Sequence, residues 1–243
     1  MSTLATTQPV HYPDSDGEPM SDHTLQFAWI GILMWNADAR FRDDPNVFVA
    51  GDHLIYPVEG DPLTRQAPDV YVAFGPPKKD RGSYRVWEEG GVFPQVVFEV
   101  WSPGNRAEPM QDKFEFYDRF GAEEYYIACP EFPGTWRGWV RRDGNLQPVA
   151  NMDGHVSPRL GFRFRVLLGE IAVFGPDGRE LVRPSEIAYQ RDLAEQRRLT
   201  AEREREAAEE QRTAVEDQLN AERERNAKLA AKLRELGIDP DAE

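Results

Sequence analysis

Apolar residues Leu25, Phe27, Ala28, Ile30, Leu33 and Met34 recur at mostly helical intervals within DHTLQFAWIGILMWNADARF, and this spacing predicts one long helix with Ser21 as its N-cap. NVFVAGDHLIYPVEGDP predicts one or two strands broken at Gly51-Asp52. PDVYVAFG and PQVVFEVWS predict two more. The second is a central strand ended by Ser102-Pro103-Gly104-Asn105. AEPMQDKFEFYDRFGAEEYYIAC then predicts a helix closed by Gly121 and another strand. Helix, three strands, helix and strand in that order describe an α/β protein with a mixed β-sheet flanked by helices. The next stretch is β-rich, with a hairpin signal at Asp143-Gly144, a strand-like HVSPRLGFRFRVLLG and a second turn at Asp177-Gly178. Trp136, Trp139, Phe162 and Phe164 are assigned to the core rather than to a base-stacking platform.

The pattern changes near Ser185. Glu, Arg, Ala and Gln dominate, with no Gly or Pro before Gly237, which predicts a long C-terminal helix and divides the chain into residues 1–184 and 185–243. Placing Leu219, Asn226 and Leu233 at heptad position a puts Val215, Glu222, Leu229 and Leu236 at d, a short coiled-coil seam with one polar a position. Upstream the same frame puts Arg198, Arg205 and Arg212 at a. For that half, a solvated single helix with i,i+4 ion pairs fits as well as a dimer.

Charge narrows the function classes. The chain of 243 residues has a formal net charge of −14, and acidic residues outnumber basic ones on both sides of Ser185. Bulk attraction to phosphate is excluded, so contact with nucleic acid would need a local basic patch and a divalent metal. KKDRGSYR, Lys78 to Arg85, is the nearest basic segment to the PDVYVAFG strand; it reads as a solvated loop with phosphate contact as the sharper alternative. The single cysteine, Cys129, excludes an intrachain disulfide and a thiolate cluster, and it reads as a small core residue. The start lacks a charged, apolar leader and no window has the apolar length of a membrane span, so a cytoplasmic protein is expected.

The chemistry-bearing residues are Asp69, Glu99 and Lys113. Asp69 opens the PDVYVAFG strand, and Glu99 lies within VVFEVW, where apolar neighbours on both sides imply burial. A buried carboxylate needs a partner or a metal. Lys113 shares a helix face with Met110 and Tyr117, at i−3 and i+4, and that face looks back onto the sheet. Two carboxylates and a lysine at one sheet edge suit Mg²⁺ (or Mn²⁺) with water beside it, and hence phosphodiester hydrolysis. The four histidines are scattered, which argues against a histidine metal site.

PDV, FEVWSP and DKFEFYDRFGAEEYYIACP, in that order, resemble the Uma-type family of putative restriction endonucleases within the PD-(D/E)XK nuclease superfamily, over roughly Tyr12 to Val182. The resemblance implies a restriction-endonuclease-like core, Mg²⁺ on Asp69 and Glu99, and Lys113 as the catalytic lysine. The superfamily's lysine follows two residues after the acid, where this chain has Trp101; the Uma-type pattern places it on the next helix. The early helical acid has Asp22 as first candidate for a further metal ligand and Glu18 as second. The expected function is a metal-dependent DNA endonuclease, with DNA as partner and a homodimer as assembly. The competing reading is a catalytically inactive protein of the same fold that binds itself or a partner through its C-terminal helix.

Overall fold

A computed structural model describes residues 10–15, 17, 21, 23–102 and 107–235. The chain divides into two units, Met1–Pro184 and Ser185–Glu243.

The first unit opens with α1 (Thr24–Arg40), followed by β1 (Val47–Ala50), β2 (Ile55–Tyr56), β3 (Val70–Phe74), β4 (Tyr84–Arg85) and a 3-10 turn at Val86–Glu89. Next come β5 (Val96–Val100), α2 (Ala107–Phe120), β6 (Glu124–Cys129), β7 (Thr135–Arg142), β8 (Asn145–Pro148), β9 (Arg163–Leu167) and β10 (Glu170–Phe174). Six strands form one mixed sheet in the order β1-β3-β5-β6-β7-β8. Only β5 and β6 within it run parallel, because α2 carries the chain back between them.

The sheet is buried on both faces. Ile30, Leu33 and Ala37 of α1, together with Phe164, Ile171 and Val173 of the β9–β10 hairpin, cover Val72, Phe98 and Tyr126. Met110 and Tyr117 of α2 cover Tyr71, Val97 and Tyr125 on the other side. Burial on both faces is why β3 and β5 read as continuous apolar runs rather than alternating ones. The Asp143-Gly144 turn has the positive φ values, 50° and 91°, of a tight hairpin and joins β7 to β8 as expected. Gly121, at φ 101°, ends α2 by donating its N–H to the Tyr117 carbonyl.

One local expectation is corrected. His23, not Ser21, caps α1, its Nδ1 accepting the Gln26 N–H at 3.4 Å. Trp139 packs on the α2 face, away from Trp136, Phe162 and Phe164, which share the α1 face.

Among the described residues the second unit is a single helix, α3, whose Pro184–Glu235 span begins with a proline at a position where its missing N–H costs nothing. Val215, Leu219 and Leu229 are all exposed along it. Leu236 lies outside the described residues. Among the described residues no helix is long and apolar enough to cross a membrane.

Candidate active site

β3 and β5 pair antiparallel with Val70 opposite Phe98, and one further step of that register sets Asp69 opposite Glu99. Alternation then points both side chains to the α2 face, since Val70 and Phe98 belong to the opposite core. Cross-strand neighbours at this spacing interact directly. α2 completes the group from above: Lys113 Nζ donates to Glu99 Oε2 at 2.7 Å and to the Ala67 carbonyl at 3.3 Å. Tyr117 donates its hydroxyl to Glu99 Oε1 at 2.9 Å, and the Val100 N–H donates to Asp69 Oδ2 at 2.6 Å. The three residues singled out by sequence therefore meet in one place.

The chain is shaped around Asp69. A Cβ on Gly51 would stand 2.3 Å from the Asp69 carbonyl oxygen, so only glycine allows this close approach. The next residue, Asp52, donates its N–H to the Pro68 carbonyl at 3.0 Å. What reads in sequence as a strand break is thus the backrest of the acid. Gln26 of α1 reaches the Val100 carbonyl at 3.0 Å from a buried position and ties the first helix to the same strand end.

Electrostatics separate this site from an ordinary ion pair. Burial, and then the Glu99 charge, push the Asp69 carboxyl up to about 8, although Lys113 and the Val100 N–H both oppose the shift. Burial and the Glu99 charge hold Tyr117 well above the usual phenol range, so it remains a proton donor to Glu99. At neutral pH Asp69 therefore keeps its proton, which a bound cation would displace. The oxygen donor set fits a hard divalent cation, which commonly takes one or two protein carboxylates and completes its shell with water and phosphate oxygens. Among the described residues no group of three or more His, Cys, Asp or Glu side chains is arranged to hold a metal. Asp22 and Glu18, the candidates for a further acid, lie outside the described residues.

The basic segment contributes less than its sequence suggests. Lys78 is 3.8 Å from Asp38, Lys79 3.0 Å and Arg81 2.8 Å from Glu89, and Arg85 3.1 Å from Glu88. Arg81 is not a solvated loop cation, because its buried guanidinium also lies 4.0 Å from the Phe48 ring centroid. A buried acid that sequence reasoning passed over is Glu124, at the start of β6 on the opposite face.

With this geometry in place, comparison with known proteins is informative. The model of the family Uma2, described as a putative restriction endonuclease, matches residues 6–164, well over half the chain. The chain belongs to the Uma2 family. Asp69, Glu99 and Lys113 all fall within the matched residues, whereas β10 and α3 fall beyond them. A crystal structure described as a putative nuclease belonging to DUF820, from Anabaena variabilis, is similar to 56% of this chain and 72% of that one, at 13% identity and a TM-score of 0.38. No curated protein matches the chain.

Proposed function

We propose that this Uma2 protein is a metal-dependent DNA endonuclease whose active site is Asp69, Glu99 and Lys113. The observation that carries the proposal is the facing pair of acids, half-buried Asp69 and buried Glu99, with Lys113 on a Glu99 oxygen and the Asp69 carboxyl pushed up to about 8. Asp69 and Glu99 would hold Mg²⁺ or Mn²⁺, which when bound neutralises phosphate charge and acidifies water. Lys113, 2.7 Å from Glu99, is placed to donate a proton or hydrogen bond to water or to the charge that develops on phosphate oxygens. Tyr117 and the Val100 N–H fix the two carboxylates by donating to Oε1 of Glu99 and Oδ2 of Asp69. A linear and a branched oligodeoxynucleotide, incubated with Mg²⁺ or Mn²⁺, test the reading. Cleavage by the wild type and none by Asp69→Ala is the expected result; metal-independent cleavage, or equal cleavage by the variant, rejects it.

One observation favours the non-catalytic reading. Both Glu99 oxygens already have donors, Lys113 and Tyr117, as a purely structural ion pair would require. The same cleavage experiment decides between them. For α3, exposed Val215, Leu219 and Leu229 support the seam, and we assign it a dimerising role that would bring two active sites to one duplex. Light scattering on the full chain at micromolar concentration should show a dimer. A monomer rejects the assignment, and a dimer that survives deletion of residues 185–243 transfers it to the first unit.

A further inference from the structure

Beside the acid pair, on the same face of the sheet, lies a cavity of about 290 Å³. Its walls are mostly aromatic: Trp101, Phe114, Tyr125 and Trp139, with Gln111 and Arg137 also lining it. Register fixes its place. Ile127, another lining residue, pairs with Glu99, and Tyr125 and Trp139 form the next pair on that face. Trp101 lies two residues beyond Glu99, and Phe114 directly follows Lys113. The cavity is therefore the immediate neighbour of the proposed cleavage site.

Two features set it apart from a patch of core. Gln111 and Arg137, both exposed, put polar groups on a cavity whose other walls are aromatic or aliphatic. Trp101, only half-buried, has no ring partner among the described residues, whereas Tyr125 and Trp139 lie 5.4 Å apart, centroid to centroid, at 28°. Aromatic walls with the Gln111 amide among them, in a small cavity, match a flat heteroaromatic ring with hydrogen-bonding edges. Arg137, exposed at the cavity, adds the one cation among the lining residues for a phosphate that follows the ring.

We infer that this cavity receives one unpaired nucleobase of the DNA strand whose phosphate lies at Asp69 and Glu99. The inference rests on the nuclease reading for its substrate class and narrows it: the substrate carries a single-stranded, bulged or extruded nucleotide beside the scissile bond. A paired base cannot enter, because its faces are occupied by neighbours in the stack and its edge by its complement. Stacking on aromatic side chains is sequence-tolerant, so the cavity selects structure rather than sequence.

The test uses the full chain, with Ca²⁺ replacing Mg²⁺, and oligodeoxynucleotides bearing a single 5-iodouracil that is unpaired, bulged or fully paired. Ultraviolet cross-linking followed by peptide mapping should place the adduct on Trp101 or Trp139 for the unpaired and bulged probes, with at least about fivefold less for the paired one. Trp101→Leu and Trp139→Leu, checked for folding by circular dichroism, should bind the bulged probe roughly 5- to 150-fold more weakly, the range that stacking one base on an aromatic contributes. Adducts only elsewhere, no adduct, or equal yield from paired and unpaired probes overturns the inference, and the wild-type mapping decides it even where a variant fails to fold. Cleavage, assayed separately with Mg²⁺, keeps the two readings distinct. Cleavage without an adduct in the cavity removes the pocket and leaves the nuclease; an adduct there without cleavage leaves the pocket and removes the nuclease.

Discussion

Glu99 and Glu124 are both buried glutamates on neighbouring strands of the same sheet, and their surroundings differ in kind. Glu124 faces α1 and is met by neutral donors: the Tyr126 hydroxyl at 2.8 Å, the Ser157 hydroxyl, and the Arg159 N–H at 2.6 Å. Burial raises its pKa and these three donors oppose the rise. The arrangement is closed, and it pins the loop between β8 and β9 onto the sheet. Glu99 faces α2, next to a second carboxylate, with Lys113 on one oxygen and an open cavity alongside. Local dipoles suffice to hold one buried carboxylate, whereas two acids side by side hold a proton between them that a cation would displace. The first holds a loop, and the second is the arrangement proposed to hold a metal.

The largest expected effect separates the two sites by activity. Lys113→Ala should slow DNA cleavage by about 10²-fold or more while keeping metal affinity, because the lysine acts on water or on transition-state charge rather than as a ligand. Glu124→Ala should leave the cleavage rate of folded protein unchanged; a comparable loss there, measured in the same assay, would erase the distinction. Next comes stability. Removing the Glu124 carboxylate strands the Ser157 hydroxyl proton and the Arg159 N–H and leaves the Tyr126 hydroxyl only His155 Nε2 at 3.3 Å, so urea denaturation should show a loss of about 2 kcal/mol or more. Metal binding sharpens the contrast further: Glu99→Gln should weaken Mn²⁺ by about tenfold or more in calorimetry, and Glu124→Gln should not change it.

The last contrast is a pH dependence. Asp69 titrates near 3.8 when unfolded and at about 8 in the fold, so the folded chain binds more protons across that window. Its contribution to the stability of the metal-free protein is therefore greatest at low pH and is lost as pH rises towards 8. Asp69→Asn should flatten that decline in a series of thermal melts. Mn²⁺ binding should in turn strengthen with pH over the same window and release up to about one proton per ion, measured by calorimetry in buffers of different ionisation enthalpy. An unchanged melting profile in Asp69→Asn would show that the acid pair is no more frustrated than Glu124.

Much of the site is legible in the amino-acid sequence. Apolar neighbours on both sides of Glu99 imply a buried acid, and the i−3 and i+4 companions of Lys113 turn it towards the sheet. Those are local patterns, set by strand alternation and helical periodicity, and the sequence carries them within a few residues. Glu124 is not legible in this way, because it follows the turn at Gly121 beside another glutamate, and its partners Ser157 and Arg159 lie more than thirty residues away. Nor is the use of Gly51 as the support for Asp69, the burial of Arg81 against Glu89, or the separation of Trp139 from the other aromatics. Each depends on which strands pair, in what register and on which face. The chain's own pattern dictates its elements, the long charged helix and the identity of the three residues that meet. That Asp69 stands opposite Glu99, that one lysine must serve both, and that an aromatic cavity opens beside them follow from strand register and packing, which join residues that are distant along the chain.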